Sequence, residues 1–396
     1  MDISGGDPAE RGALLRLETF LAQDPDNLSL RTAVFEAALR CAEWGLAKSQ
    51  IDFGLLHAPD RLVWKFREGD FLLAKKDYCQ AREVLQALGH DALPPEAQDT
   101  LLHNVAYTYF GEGNFDQCVE LLEPRMAKSL QGELSAHPPN EAEVGLQKLW
   151  LRALHHSKDA ARACAWAKTM DETGELSHRV AGIASLAALD ASEGVLAQKW
   201  SRIALDSDIK ESERSEAIVT QASLLLASRD TEQACKLADH ALMLHPREGR
   251  AWSIRGFAKM LDGALAEAQD HFSTALETLP GHIGTWHGLG WSQLLAGLPP
   301  EALVTFRHAL DLDRNFAESQ GAVSVALFLT GDVGGARKHA DNALRLDKNC
   351  LSGQYAAALI SGELQSAQAL QRLAKRLLGA HQGPLGGTMA DWIPRP

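Results

Sequence analysis

Residues 249–280 read GRAWSIRGFAKMLDGALAEAQDHFSTALETLP, and residues 283–314 read IGTWHGLGWSQLLAGLPPEALVTFRHALDLDR. The two lines share one skeleton. With Gly249 as position 1, Trp252, Gly256, Ala268, Phe272 and Ala275 fall at positions 4, 8, 20, 24 and 27. With Ile283 as position 1, Trp286, Gly290, Ala302, Phe306 and Ala309 fall at the same places, so the period is 283 − 249 = 34 residues. Trp252 and Gly256 are four apart and share one helix face. Ala268, Phe272 and Ala275 step by four and three, which is one face of a second helix. Pro280 cannot continue that helix and marks its end. The spacing predicts a helical hairpin, in which Gly256 leaves room for close packing. A single hairpin cannot bury its own apolar face, so further hairpins are expected on both sides.

Outward from this stretch, the register holds for four units within 211–350, starting at Ser215, Gly249, Ile283 and Ala317. Position 20 is Ala234, Ala268, Ala302 and Ala336, and position 27 is Ala241, Ala275, Ala309 and Ala343. Residues 13–210 read as divergent versions. Units start near Leu28, Leu62 and Asp99, with Ala47, Ala81 and Cys118 at position 20. Asp116 is positioned to cap the second helix of the Asp99 unit. That helix is expected to end near Pro124, ahead of an insertion over about 125–140. Beyond it, Ala161 and Ala165 mark the expected buried face of another second helix. Residues 1–12 read as an unstructured lead, 351–379 as capping helices, and 380–396 as a Gly/Pro-rich tail.

The W…G…A…F…A…P order at a period of 34 resembles the tetratricopeptide repeat. The resemblance is strong over 215–350 and weaker over 28–210. It implies an all-α, right-handed solenoid of helical hairpins, whose first helices line an inner groove through positions 2, 5, 9, 12 and 13. Carried onto this chain, those positions give Arg250, His287, Phe257, Trp291, Val325, Met260, Leu294 and Phe328. Phe66, Asp70, Tyr107 and Phe110 take equivalent places upstream. The same positions also pack between successive first helices. The family's carboxylate-gripping peptide site needs Lys, Arg and Asn at positions 2, 5, 6 and 9. Here those places are mostly apolar or small, with Arg250 the one strong candidate. The resemblance therefore implies an apolar groove suited to an extended or helical partner segment.

Composition narrows the function classes. The chain has 396 residues, 45% of them hydrophobic, and a formal net charge of −13. A general nucleic-acid or anionic-membrane binder needs basic surface. The six cysteines form no CxxC pair; Cys79, Cys118 and Cys235 read as small core residues. Such thiols suit a reducing compartment, and a cytoplasmic location is expected. No HExxH, P-loop, GxSxG or Rossmann signature is present. No catalytic residue, metal ligand or cofactor is expected. The leading expectation is a non-catalytic scaffold, adaptor or chaperone for a protein or peptide partner. Alternatives are a regulatory receptor for a short peptide or small ligand, and an accessory subunit of an enzyme or assembly. Self-association through the groove is a further expectation, as is contact through Trp392 and Ile393 in the tail.

Overall fold

The computed structural model describes residues 8–89, 93–130, 140–208 and 210–364, with positions 368, 372, 373, 375 and 376 beyond them. Among these residues there are twenty α-helices and no strand. In the first half they are α1 (Pro8–Gln23), α2 (Leu28–Arg40), α3 (Trp44–His57), α4 (Arg61–Ala74), α5 (Tyr78–Gln86), α6 (Pro95–Gly111), α7 (Phe115–Leu130), α8 (Glu141–His156), α9 (Ala160–Glu172) and α10 (His178–Asp190). Then follow α11 (Gly194–Leu205), α12 (Ser215–Ala227), α13 (Thr231–Leu244), α14 (Gly249–Leu261), α15 (Leu265–Thr278), α16 (Ile283–Leu295), α17 (Pro299–Leu312), α18 (Ala317–Leu329), α19 (Val333–Leu346) and α20 (Leu351–Ile360). The chain divides into two compact units, Met1–Val180 and Ala181–Pro396. Each unit is a stack of antiparallel helix pairs.

One backbone device recurs at every hairpin. The turn between first and second helix carries a residue with positive φ: Ala42, Lys76, Gly113, Lys158, Ser192, Arg229, Gly263, Gly297 and Gly331. The next residue's N–H reaches back five residues to close the first helix, as from Asp77 to the Leu72 carbonyl (2.9 Å) and from Asp332 to Leu327 (2.9 Å). This is a Schellman ending. In four hairpins that same residue is an aspartate (Asp77, Asp159, Asp230, Asp332) whose carboxylate caps the second helix. One residue thus closes one helix and opens the next.

Left-handed backbone is costly for a residue with a Cβ, by about 1–2 kcal/mol, and glycine avoids most of that penalty. Lys76→Gly is therefore expected to stabilise the first unit by about 0.5–1 kcal/mol. Gly297→Ala should destabilise the second by a similar amount. Thermal melts of the two variants moving in the same direction would refute this account of the turn.

The core is built from small residues held at one register. Position 20 is wholly buried in all nine hairpins: Ala47, Ala81, Cys118, Ala163, Ala197, Ala234, Ala268, Ala302 and Ala336. Burial pushes the Cys118 thiol up to about 12, so it behaves as a slightly larger alanine.

Five expectations need correction. The lead read as unstructured over 1–12 is helical from Pro8, because proline is well placed in a first turn and Ala9-Glu10 favour helix. Helix α7 does not stop at Pro124 but runs to Leu130. Proline removes one helix hydrogen bond, yet beyond it Arg125 forks onto Asp99 of α6 (2.9 and 2.7 Å) and Met126 is buried, which holds the helix together. In α9 the buried alanines are Ala163 and Ala167, while Ala161 and Ala165 are exposed. Alanines at 160, 161, 163, 165 and 167 fit more than one face by composition, and the phase is set by Trp166, buried edge-on against Trp150 of α8 (5.6 Å, 64°). Asp116 lies inside the first turn of α7 and accepts a hydrogen bond from Ser157 Oγ (2.7 Å). Finally, Cys79 is exposed rather than a core residue.

Candidate partner-binding surfaces

In the second unit the first helices α12, α14, α16, α18 and α20 stack in order, and α12, α14, α16 and α18 are each backed by the second helix of the pair. The Phe272 ring is fully buried between two glycines. A Cβ on Gly256 of its own hairpin would lie 2.7 Å from the ring, and one on Gly288 of the next hairpin 2.6 Å from it. Phe306 fills the corresponding space opposite Gly290. The position-9 aromatics lean on these rings edge-on: Phe257 on Phe272 (4.8 Å, 77°) and Trp291 on Phe306 (5.4 Å, 64°). Met260 joins Phe257 around Phe272. Leu294 and Phe328 join Trp291 around Phe306. All five are half-buried, so each presents an edge while packing on the core.

The other expected groove residues sit differently. Val325 is 1% exposed, packed beside Ala340 and Ala356 under α20, and belongs to the core. His287 spans to the next first helix, where its Nε2 hydrogen-bonds Ser319 Oγ (2.8 Å), and its ring faces Phe306 and Phe316. Ser253 and Thr285 make the equivalent link one hairpin earlier (3.0 Å). At the next junction Gly321 lies directly against the backbone of Ser352 and Gly353. Position 5 therefore joins successive first helices instead of facing a groove. Burial holds His287 down to about 4, with Glu318 partly opposing. Arg250 forks onto Asp190 (3.0 and 2.8 Å), so its charge is met within the unit by a residue sixty positions away. Glu318, also at position 2, accepts the Leu351 and Ser352 amides at the start of α20 (2.7 and 3.0 Å).

The first unit holds a cavity of about 720 Å³ on the first helices α2, α4 and α6. Phe35 and Leu39 come from α2, Leu62 and Phe66 from α4, and Leu93 and Ala97 from the start of α6. Asp60, at the rim, caps α4 through the Leu62 amide (3.0 Å). Asp70 accepts a hydrogen bond from Asn104 Nδ2 of α6 (2.8 Å), and burial raises its carboxyl to about 6 despite the nearby Arg67. The Arg67 guanidinium lies over the Trp64 ring at 4.8 Å. A second cavity of about 610 Å³ lies between α6 and α8, with Thr100 in both linings. Tyr107 and Phe110 continue along α6 in a stacked row with His103, and Tyr107 is 39% exposed. Trp392 and Ile393 lie outside the described residues.

One contact recurs between successive units. The Trp252 indole N–H donates to the Pro246 carbonyl (3.0 Å), and Trp286 does the same to Pro280 (2.8 Å). Position 4 thus reaches back six residues to position 32 of the preceding unit. Where tryptophan is absent an amide does the same work: Gln320 donates to the Arg314 carbonyl (3.1 Å) and Gln354 to Lys348 (2.7 Å). The hairpins have the tetratricopeptide-type fold. No protein-family model matches the sequence, and no curated protein matches it significantly. Solved structures that are similar include YrrB, described as a TPR protein with an unusual peptide-binding site (22% identity, 43% of this chain and 89% of that one, TM-score 0.33). The APC/C hetero-tetramer Cut9–Hcn1 is similar over 93% of this chain and 82% of that one (13% identity, TM-score 0.44). MamA is similar over 41% and 92% (15% identity, TM-score 0.34).

The tetratricopeptide register also exposes residues that sequence reasoning passed over. Position 13 holds Leu261, Leu295 and Leu329, which are 50%, 63% and 49% exposed. They end three successive first helices at the same place. The resemblance places position 13 among the groove positions, but Leu294 and Leu295 are equivalent by composition, so the sequence does not show which leucine is left exposed. Among the described residues no helix is long and apolar enough to cross a membrane, and no group of three or more His, Cys, Asp or Glu is placed to hold a metal ion.

Proposed function

We propose that this chain is a non-catalytic interaction protein, an adaptor or chaperone whose first-helix faces hold a segment of a partner protein. The observation that carries this reading is the row Leu261, Leu295 and Leu329, repeated once per hairpin beside Met260, Leu294 and Phe328. Burying a leucine side chain is worth about 1.5–3 kcal/mol, so a regular row left in water is best explained by a surface that is covered in use. A segment with apolar anchors at matching intervals would bury it. Cysteine thiols buried without a disulfide, such as Cys41, Cys118 and Cys350, support a reducing compartment.

The test is an affinity capture from the native cytosol with the wild-type chain and with a Leu261→Glu/Leu295→Glu/Leu329→Glu variant of unchanged helicity and melting. A partner captured by the wild type and lost from the variant is the expected result. Equal capture by both would remove the leucine row from the site. Absence of any captured protein would sink the stable-partner reading in favour of a receptor for a small ligand.

A further inference from the structure

We propose that the cavity on α2, α4 and α6 is a recognition site for a basic, apolar peptide segment, in which a lysine or arginine beside a large aliphatic or aromatic residue seats between Phe66 and Asp70. The proposal rests on the scaffold reading above and names the partner chemistry of a surface separate from the leucine row. Three features of the cavity argue for this occupant.

The first is the wall. Phe35, Leu39, Leu62, Phe66 and Leu93 line the space, so an apolar side chain entering it leaves water for a hydrocarbon surface. The second is the charge. Among the described residues, Glu36, Asp60 and Asp70 line the cavity against the single cation Arg67, a formal balance of 1 − 3 = −2. Arg67 is itself under the influence of Glu36 and Asp70 and stacked on Trp64, which makes it a poor receptor for an incoming carboxylate. Asp70 is desolvated and has one hydrogen bond from Asn104 on one oxygen. A carboxylate accepts several, and a charge-assisted bond from a lysine or arginine is about twice as strong as a neutral one. The net charge of −13 on the whole chain favours the same sign of partner. The third is the shape. The 720 Å³ cavity shares Thr100 with the 610 Å³ cavity toward α8, so the two adjoin on successive first helices. An extended chain uses both at about 3.3 Å per residue; a compact small ligand uses one.

The experiment is selection of a random 12-residue peptide display library on the full chain, followed by fluorescence anisotropy of the enriched peptides on variants. Asp70→Asn keeps an acceptor for Asn104 while removing the charge. Val63→Lys adds a cation at a rim position that is 42% exposed. Leu295→Glu reports on the leucine row. The expected result is enrichment of Lys or Arg next to Leu, Ile or Phe, with binding at least tenfold weaker on Asp70→Asn and on Val63→Lys. Affinity should also fall as pH is lowered from 7.5 to 5 and Asp70 takes a proton, a dependence absent from Asp70→Asn. The other titratable groups around Asp70 are Glu36 of α2, Arg67 of α4 and His103 of α6, which burial shifts below the usual histidine range. Enrichment of acidic peptides, or binding indifferent to both cavity variants, overturns the proposal. Peptides that ignore the cavity variants but fail on Leu295→Glu would leave the scaffold reading standing and this one refuted. A library with no enriched peptide would refute both.

Discussion

Phe272→Ala is expected to destabilise the second unit by about 3–5 kcal/mol, the usual range for emptying a fully buried phenylalanine site. The position explains why the loss should fall at the high end. The ring is pressed between Gly256 of its own hairpin and Gly288 of the next, so two hairpins lose a shared contact at once. The sharper test is epistasis. In the wild type, Gly256→Ala gains about 1 kcal/mol of helix propensity but drives a Cβ to 2.7 Å from the ring, and overpacking costs about 1–3 kcal/mol. In the Phe272→Ala background the clash is gone and only the gain remains. The same substitution should therefore destabilise one background and stabilise the other. A double-mutant cycle followed by Trp252 and Trp286 fluorescence in denaturant reads the coupling directly. Additive effects within about 0.3 kcal/mol would mean that ring and glycine do not share the space.

Lowering the pH should weaken the second unit through His287. The group is near 6.5 in an unfolded chain and near 4 in the folded one, because burial disfavours the imidazolium. Above 6.5 both states are neutral and folding is unaffected. Below it the unfolded chain takes the proton first, so stability falls as pH drops from about 6.5 to about 4. The difference corresponds to about 3 kcal/mol at the lower limit. The Ser319 hydroxyl, Phe306, Phe316 and the more distant Glu318 surround the ring. In the first unit Asp70 works in the opposite sense: its folded value is raised, so its contribution is present below its unfolded range and lost as pH rises through about 6. The measurement is the difference in stability between wild type and His287→Gln at pH 7 and pH 4, monitored by Trp286 and Trp291. A pH profile unchanged by the substitution would show that His287 is already solvated enough to titrate normally.

The regular hairpins were legible in the sequence because their signatures are large and local. Trp, Gly, Phe and two alanines at fixed intervals leave little freedom in 215–350. The upstream hairpins follow the same rule through a feature with no letter of its own. At Ala42, Lys76, Lys158 and Ser192 the left-handed turn residue is not glycine, so the marker visible at Gly263, Gly297 and Gly331 vanishes from the text while persisting in the backbone. The alanine-rich α9 offered several equivalent phases, and only packing chose Ala163 over Ala161. The groove was legible in outline. Phe257, Met260, Trp291, Leu294 and Phe328 do cluster, but Arg250 is met by Asp190, sixty residues earlier, and no local pattern announces such a pair. Val325 became core because α20 covers it, and position 13 stayed open because none of the described residues covers it the same way. The α2–α4–α6 cavity depends on how three helices and the Leu93-Pro94 connection converge, which periodicity alone does not encode.

The hairpin turns at 42, 76, 113, 158, 192, 229, 263, 297 and 331 are separated by 34, 37, 45, 34, 37, 34, 34 and 34 residues. Position 20, counted within each hairpin, is nevertheless fully buried every time. The extra lengths fall in the connections and at the helix ends away from the turn, as in the 17-residue α6 and the 16-residue α7 and α8, so phase is reset at each turn instead of being carried along the chain. Length is thus a free variable away from the turn and a fixed one across it. A graft, a label or a duplicated pair placed at a joint, such as the one leading to Glu211–Glu213 before α12, adds sequence without asking any core residue to change its neighbours. A protein built this way can change its reach by whole modules while its individual side-chain contacts stay as they are.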